Sequence, residues 1–290
     1  MTFSAMSTTR CRRSTVAERP VDRDYVLGTH DRETERLGIQ HAAWRPTVLD
    51  CWRRAGVTTG DRVIDVGAGP GYAALDLADI VGPGGYVAAV ERSSRFVEAG
   101  RAAVRERGVC NVRYFELDLM SDALPEGEHD AAWCRWVSSF VESPEVLVEK
   151  IAGAVRPGGV AVFHEYADYA SWRFSPRLPI VEEYVRRVMG SWRAAGGEPD
   201  VAMDLPALLR ANGFVIREAV PRVFCVRPGD PLWTWISTFL ELNLDRLVEL
   251  GAGEPEWIDA VRDQFRAAEA DPGTLMLTPM LLEIIADRVG

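Results

Sequence analysis

The sequence predicts an α/β fold built on a mostly parallel, seven-stranded sheet with helices on both faces. Two observations lead to this prediction. From Asp61 onward, short runs rich in β-forming residues alternate with helical stretches, which is typical of a parallel sheet with crossover helices. After the fifth run, two longer helical segments rich in aromatic residues interrupt the alternation, and we expect them to be insertions over the sheet.

The elements of the sheet follow one another along the chain. Strands are expected at 62–66, 86–91, 112–116, 131–134, 160–164, 214–220 and 275–285. Helices are expected at 71–80, 94–107, 145–155, 178–195 and 205–212. The segment Arg156-Pro157-Gly158-Gly159 predicts a helix end and a turn into the fifth strand, because proline cannot continue a helix.

The N-terminal region is predicted to be separate from the sheet. Residues 1–20 are polar and contain several arginines, so we expect a disordered leader there. Residues 21–58 are predicted to form a helical lid, with a helix over Asp31–Arg54 that breaks at Pro46. The domain of the sheet then spans residues 59–290, with helical insertions at about 172–204 and 231–270.

Composition excludes several classes of function. The chain of 290 residues has a net charge of -10 and no basic stripe, which argues against nucleic acid as a partner. Its five cysteines form no Cys-x-x-Cys pair and have no histidine at zinc-ligand spacing, so no metal site is predicted. No stretch approaches the roughly 20 apolar residues that span a bilayer, so no membrane insertion is expected. A reduced, cytoplasmic protein is the simplest interpretation, and assembly as a homodimer stays open as an alternative to a monomer.

A glycine-rich loop follows the first predicted strand. The segment from Val63 to Gly71 reads Val-Ile-Asp-Val-Gly-Ala-Gly-Pro-Gly, an apolar strand that runs into a turn and then a helix. Glycines allow a ligand to approach the backbone closely at the switch point of such a sheet. A Gly-x-Gly turn alone is a weak signal, because nicotinamide, flavin and S-adenosylmethionine proteins all use one.

Three details favour S-adenosylmethionine over a dinucleotide. Asp65 ends the strand where a carboxylate can receive the ammonium group of the methionine moiety. The Gly-x-Gly-x-Gly spacing is not the one that brings a pyrophosphate to a helix N-terminus. Glu91 closes the second strand about 20 residues later, where a carboxylate can bind both ribose hydroxyls. The alternatives are that Asp65 is only an acid of the turn and Glu91 a solvated strand end.

With these motifs, the segment Val63–Tyr166 resembles the core of the class I S-adenosylmethionine-dependent methyltransferases. The resemblance is to the small-molecule branch that is similar to the enzymes of ubiquinone and menaquinone biosynthesis, and it covers five strands. It implies a Rossmann-like methyltransferase fold, with S-adenosyl-L-methionine as cofactor and S-adenosyl-L-homocysteine as product. The Arg156–Gly159 turn resembles the one before the fifth strand of that family.

The resemblance also implies residue roles. An acidic residue after the third strand meets the adenine amino group in this family, and Asp118 takes that position. The end of the fourth strand lines the methionine side, which points to Arg135. Asp118 as an Asx-turn residue and Arg135 as a structural ion-pair partner stay open as alternatives. The predicted cofactor contacts are Tyr25, Asp65, Gly67, Ala68, Gly69, Gly71, Glu91, Arg92, Asp118, Leu119 and Arg135.

The acceptor side is less well defined by the sequence. The segment from Tyr25 to Arg45 is similar to the lid helices of small-molecule members of the family, so Tyr25, Gln40 and Trp44 could close over the site. Apolar packing alone also explains Trp44. The predicted acceptor contacts, taken from the lid, the fifth strand and the insertions, are Trp44, Tyr166, Trp192 and Trp233.

Methyl transfer from a sulfonium is an in-line displacement, so positioning alone can supply about 7–11 kcal/mol of the catalysis. A general base is needed only if the acceptor is a phenol, an alcohol or a carbon acid. The candidates are His164 at the end of the fifth strand and His41 on the lid, although a buried structural histidine is the alternative for His164.

We therefore predict an enzyme that methylates an oxygen, nitrogen or carbon atom of a small, ring-bearing or lipidic metabolite in specialised metabolism. One alternative is an enzyme of the same fold that binds the cofactor and catalyses a non-methylating step such as cyclisation. A non-enzymatic binding protein is a third class, but a scaffold would not need Asp65, Glu91 and the loop glycines.

Overall fold

The computed structural model describes residues 31–125, 128–249 and 251–289, so the predicted leader and the first part of the lid lie outside the described residues. The helices are α1 Asp31–Ala55, α2 Tyr72–Val81, α3 Ser94–Glu106, α4 Pro144–Ala154, α5 Pro179–Ala194, α6 Leu205–Ala211, α7 Pro231–Glu249 and α8 Pro255–Ala270. The strands are β1 Arg62–Val66, β2 Tyr86–Glu91, β3 Val112–Glu116, β4 His129–Arg135, β5 Val155–Asp168, β6 Arg173–Ser175, β7 Phe214–Arg222, β8 Cys225–Val226, β9 Leu275–Leu277 and β10 Met280–Arg288.

Seven of these strands form one sheet in the order β3-β2-β1-β4-β5-β10-β7. The first five are parallel, whereas β10 runs antiparallel to both of its neighbours. The strand order reverses between β1 and β4, and ligands bind at such a switch point, outside the carboxyl ends of the strands. The predicted mostly parallel, seven-stranded sheet is confirmed.

Alternation along the strands divides the core into two layers. Val63 and Trp133 face the layer that contains α1, α2, α3, α5, α7 and α8. Ile64 and Phe163 face the opposite layer, which contains α4 and α6. Helices therefore cover both faces of the sheet, as the sequence predicts.

Helix α1 is continuous from Asp31 to Ala55, so the predicted break at Pro46 is wrong. A proline inside a helix removes one backbone hydrogen bond and costs about 3 kcal/mol. Trp44, Val48 and Cys51 are fully buried on either side of it. Burial of this apolar face against the sheet outweighs the local cost, because tertiary packing supplies most of the stability of a helix in a protein.

The C-terminal region differs from the predicted pattern in three ways. The helical insertion at 231–270 is two helices, α7 and α8, and the β-like run at 275–285 is divided between β9 and β10. Strands β6, β9 and β8 form a second, three-stranded sheet that the sequence did not predict.

Strand β5 begins at Val155, so the predicted turn at Arg156–Gly159 lies within the strand, beside a register shift against β4. Within the described residues, no helix is both long and apolar enough to cross a membrane.

Helix α1 is held on the sheet by buried charge. The carboxylate of Glu283 on β10 is fully buried and accepts hydrogen bonds from Arg54 of α1 and from Arg222 of β7. Arg54 also pairs with Glu218. Removing one partner of such a network would leave an uncompensated buried charge, so it fixes where α1 lies over the carboxyl ends of the strands.

Candidate active site

The glycine-rich loop joins β1 to α2 at the switch point of the sheet. The amides of Gly67 and Ala68 both donate to the carbonyl of Val90 at 2.9 Å, which ties the loop to β2. Gly67, Gly69 and Gly71 all have positive φ angles, 72°, 55° and 97°. Side chains other than glycine rarely adopt this left-handed backbone, so the spacing of the glycines follows from the shape of the loop.

Only one of the three glycines faces open space. A Cβ atom on Gly67 would lie 2.3 Å from Val137 Cγ2, and one on Gly71 would lie 2.1 Å from the hydroxyl of Tyr114. Around Gly69, no atom lies within 4 Å of the position that a Cβ would occupy. Gly67 and Gly71 therefore allow close packing within the protein, and Gly69 is the loop glycine that leaves room for a ligand.

Glu91 is fixed beside Gly69 at the end of β2. Its Oε2 accepts a hydrogen bond from the Gly69 amide at 3.0 Å, and its Oε1 accepts one from the Ser93 amide at 2.8 Å. Burial raises the pKa of the carboxyl, while these backbone donors oppose that shift. A carboxylate offers about four acceptor sites, so both oxygens can still accept hydrogen bonds from the hydroxyls of a ribose.

Asp65 and Arg135 each carry a buried polar atom without a partner among the described residues and influence one another electrostatically. No described residue gives a hydrogen bond to Asp65 Oδ2 or accepts one from Arg135 Nη1, although both atoms are buried. Burial raises the pKa of Asp65 to about 7, and the positive charge of Arg135 opposes the shift. Burial lowers the pKa of Arg135 to about 10, so the guanidinium is charged at neutral pH. Other buried polar atoms in the described part of the chain also lack partners, Glu283 Oε2 and Arg222 Nε among them. Asp65 and Arg135, however, lie at the ends of strands at the edge of the sheet where ligands bind, so their free atoms are available to a ligand.

These two groups fit the methionine end of S-adenosylmethionine. The amino-acid part of that molecule carries one ammonium and one carboxylate, which are the complements of the free Asp65 oxygen and the free Arg135 nitrogen. Glu91 and the open space at Gly69 lie next along the same edge of the sheet, where the ribose would follow. The described residues therefore suit the predicted cofactor.

His41 belongs to the polar network behind this pair. Its Nδ1 accepts a hydrogen bond from Arg135 Nη2 at 3.1 Å, so its Nε2 carries the proton and donates to Asp76 at 3.0 Å. Arg45 completes the network with a bond to Asp76 at 2.7 Å. Burial lowers the pKa of His41, partly offset by its bond to Asp76. His41 is a neutral histidine whose lone pair is engaged by Arg135, which it orients.

His164 lies in an aromatic environment under α1. It is fully buried, and neither ring nitrogen has a hydrogen-bond partner among the described residues. Its ring centroid is 5.1 Å from that of Trp44 and 5.7 Å from that of Trp136. Burial holds its pKa well below the ordinary range, and the positive charge of Arg135 adds to the shift. His164 does not line the aromatic cavity between α1 and the insertions, and its lowered pKa makes it a neutral ring.

A small aromatic cavity of about 20 Å³, little more than one water molecule needs, lies between α1 and the insertions. Of the predicted acceptor contacts, Tyr166 and Trp192 line it, whereas Trp44 is fully buried behind Trp136. Trp233 packs elsewhere, against Phe265 and Phe174, with its indole N–H bonded to Glu269. The residues that line the cavity are Arg36, Gln40, Trp136, Phe140, Tyr166, Trp192 and Phe239.

Trp136 is a wall of this cavity that sequence reasoning missed. Its φ of 53° is the only positive value for a non-glycine residue in the part of the chain that the structure describes. Such a conformation costs about 1–3 kcal/mol and is found at functional sites. The guanidinium of Arg135 lies 4.9 Å from the centre of the Trp136 ring, and that ring stacks on Tyr166. Trp136 therefore contacts Arg135 and also lines the aromatic cavity.

Glu165 holds the turn that follows Trp136. This fully buried carboxylate accepts hydrogen bonds at Oε1 from the amides of Val137 and Ser138, at 2.8 and 2.9 Å, and at Oε2 from the Ser139 hydroxyl at 3.2 Å. Burial raises its pKa to about 7 against the effect of these donors. A signal was present in the sequence: polar residues at both 164 and 165 put one on each face of β5, where an apolar residue is expected.

The remaining predicted cofactor contacts have mixed surroundings. Asp118 Oδ1 accepts a hydrogen bond from the Met120 amide at 2.8 Å, which is an Asx turn, and its other oxygen is not used in this bond. Leu119 is nearly buried, and Arg92 is exposed. Tyr25 lies outside the described residues. Among the residues with described positions, no group of three or more histidine, cysteine, aspartate or glutamate side chains could hold a metal ion.

Comparisons with known proteins agree with this geometry. Residues 64–163 match the model of a family described as a methyltransferase domain. The demethylmenaquinone methyltransferase of Geobacillus stearothermophilus is 25% identical to the chain over 213 residues, which cover 69% of this chain and 90% of that protein. Residues 64–163, which match the family model, begin inside β1, include the glycine-rich loop and end inside β5.

Two solved structures share the fold. The cyclase SpnF has a TM-score of 0.56 and 22% identity, covering 87% of this chain and 83% of its own. A geranyl diphosphate methyltransferase in complex with S-adenosylmethionine has a TM-score of 0.54 and 17% identity, covering 89% of this chain and 90% of its own. At these identities the likeness establishes the architecture alone.

Proposed function

We propose that this chain, a class I S-adenosylmethionine-dependent methyltransferase of the branch similar to the quinone-biosynthesis enzymes, methylates a ring-bearing small molecule. The family assignment rests on the matched residues 64–163, the order of the sheet and the glycine-rich loop. One observation carries the proposal for the acceptor: Trp136 lies against Arg135, whose Nη1 has no partner among the described residues, and also lines the aromatic cavity.

The chain's own residues at the carboxyl ends of β1 to β4 would hold the cofactor. Asp65 accepts hydrogen bonds from the ammonium group, and Arg135 binds the carboxylate of the methionine moiety. Glu91 accepts bonds from the ribose hydroxyls. Asp118 and Leu119 contact the adenine, with the carboxylate on the amino group and the leucine on the ring.

When bound, S-adenosylmethionine supplies a methyl group activated by a sulfonium. Trp136, Tyr166 and Trp192 would move apart to hold the acceptor beside that group, because the cavity between them has a volume of only about 20 Å³. Aromatic faces also tolerate the positive charge that spreads over the reacting atoms. Gln40 and Arg36 supply the polar part of the lining.

Catalysis by positioning is the mechanism that the surroundings of the histidines favour. His41 uses its lone pair on Arg135, and His164 is enclosed by aromatic rings. A general base must come within hydrogen-bond reach of the proton that it removes. We therefore propose that both histidines hold the site in shape, and that the acceptor arrives with a nucleophilic lone pair, as an amine or a carboxylate does.

Incubation with methyl-labelled S-adenosylmethionine tests the function. The purified chain is mixed with a panel of ring-bearing amines, carboxylates and phenols, and label in the product and S-adenosylhomocysteine are measured together. We expect both to form in equal amounts with an amine or carboxylate and to fall strongly in Asp65→Asn. Conversion of an acceptor without transfer of label would instead support a non-methylating reaction such as cyclisation.

Three finer predictions concern the metabolic role, the cellular location and the assembly of the chain. A role in specialised metabolism stays a prediction, since the name of the curated relative refers to menaquinone. A cytoplasmic location and a homodimer stay predictions as well. Identification of the acceptor decides the first of them.

A further inference from the structure

The loop after β3 carries both residues proposed to contact adenine. Its start is tied to β2, because the Leu117 amide donates to the carbonyl of Glu91 at 3.0 Å. Inside the loop, the Asp118 amide donates to the Asp122 carboxylate at 2.8 Å, and the Asp122 amide donates to the Asp118 carbonyl at 2.8 Å. These bonds close a tight turn, but they leave the carbonyls of the turn without partners inside it.

The ammonium group of Lys150 is the hydrogen-bond partner of these carbonyls. From α4, its Nζ donates hydrogen bonds to the carbonyls of Leu119, Met120 and Asp122 at 2.7, 3.0 and 2.7 Å. Three carbonyl oxygens that converge on one point repel one another unless a cation lies between them. The shape of the loop therefore depends on a charge that comes from a different element of the fold.

A lysine suits this position, whereas an arginine does not. An ammonium group carries three N–H donors around one nitrogen, while a guanidinium spreads five donors over a planar fork. Lys150 is the single lysine among the 33 lysine and arginine residues of the chain. In a sequence that otherwise uses arginine at basic positions, the exception lies where the geometry requires a compact cation.

We propose that Lys150 is a positioning residue for the cofactor: its ammonium group holds the loop 119–122 in the shape that presents Asp118 and Leu119 to the adenine. This inference rests on the proposed placement of the adenine at that loop. Lys150 acts through the loop backbone and does not touch the cofactor. Its loss should therefore weaken binding of the adenosine part and leave the contacts of the amino-acid part intact.

Calorimetry with two probes tests the inference. S-adenosylhomocysteine contains both ends of the cofactor, and 5′-methylthioadenosine lacks the amino-acid end. We expect Lys150→Met to weaken both probes by the same factor of roughly ten, the size of one lost hydrogen bond to a charged group. Lys150→Arg should recover only part of the loss, because its fork reaches fewer of the three carbonyls. Asp65→Asn should weaken S-adenosylhomocysteine alone.

The matched control is Glu149→Met, an exposed position next to Lys150 on the same helix, which should bind both probes as the parent does. If Asp118→Asn weakens methylthioadenosine but Lys150→Met does not, the inference about Lys150 is wrong and the placement of adenine stands. If Asp118→Asn binds it with parent affinity, the adenine placement itself is wrong. Should Lys150→Met not fold, Lys150→Arg decides: parent affinity for both probes overturns the proposal.

Discussion

Replacement of Glu165 gives a test of the site that needs no ligand. In Glu165→Leu, the amides of Val137 and Ser138 and the hydroxyl of Ser139 lose their acceptor inside the protein. Each buried donor left unpaired costs about 1–3 kcal/mol, so with three donors we expect the free energy of unfolding to fall by about 3–9 kcal/mol. That is a large share of the roughly 5–15 kcal/mol that stabilises a typical protein.

The matched variant is Glu165→Gln, which keeps an oxygen at Oε1 for both amides. At neutral pH we expect it to lose less than about 1 kcal/mol, because the geometry of the turn is retained and no buried charge has to be accommodated. The difference between the two variants measures what the acceptor oxygen contributes at this position, separately from the volume of the side chain.

The pH dependence of stability supplies a second, independent magnitude. The pKa of Glu165 is about 7 in the folded protein and 4.5 in its ordinary range. Between these values the folded protein binds the proton more tightly than the unfolded chain does, so its stability falls as the pH rises through this window. The fall should be about 3 kcal/mol in the parent relative to Glu165→Gln, with no further divergence above about pH 7.

Urea denaturation of the three proteins at about pH 5, 7 and 9 measures all of these differences. Two results would refute the reasoning about Glu165. One is a Glu165→Leu protein as stable as the parent, which would mean that the turn does not need the carboxylate. The other is a parallel pH dependence of the parent and Glu165→Gln, which would mean that the carboxyl does not titrate in this window.

The other variants separate contacts to the cofactor from contacts to the acceptor. Asp65→Asn should weaken binding of S-adenosylhomocysteine by about 1.5–3 kcal/mol. The pKa of Asp65 is about 7 and its carboxylate form binds an ammonium, so the parent's affinity should rise with pH through about 7. The affinity of the variant should not rise in this way, and calorimetry at several pH values measures the difference. Glu91→Ala should also lose about 1.5–3 kcal/mol of the free energy of binding without unfolding. Gly69→Val should lose more, because the valine side chain enters the open space from a position with left-handed backbone angles. Parent affinity in both variants would mean that the loop is only a structural turn. Trp192→Ala and Trp233→Ala should each cost about 3–5 kcal/mol of stability, but only Trp192→Ala should change acceptor turnover relative to cofactor affinity, and an equal effect of Trp233→Ala on turnover would contradict the position of the cavity.

The cofactor half of the site could be predicted because its signals are local in the sequence. Asp65, Glu91 and the glycine-rich loop lie at the ends of strands that the hydrophobic pattern of the sequence predicts. The structure brings them together at the predicted edge of the sheet. Hydrophobic periodicity likewise predicted the seven strands of the large sheet.

The acceptor half depends on contacts between distant segments. Trp192 and Trp233 are both buried aromatics on helical insertions, and only the packing of those helices puts one on the cavity and the other behind it. The positive φ of Trp136 has no signal in the sequence, because residues of this type rarely adopt that conformation. The role of Lys150 could not be predicted from the sequence, because it depends on the packing of α4 against the loop after β3.

Titration calorimetry with S-adenosylhomocysteine and with NAD tests the central claim most directly. The unpaired Asp65 and Arg135 atoms and the carboxylate of Glu91 suit an amino acid and a ribose, whereas the glycine-rich loop offers no cradle for a pyrophosphate. We predict one tight site for S-adenosylhomocysteine, weakened by Asp65→Asn, and no heat with NAD. Absence of binding to S-adenosylhomocysteine at high micromolar concentration, or equal binding of NAD, would contradict the account.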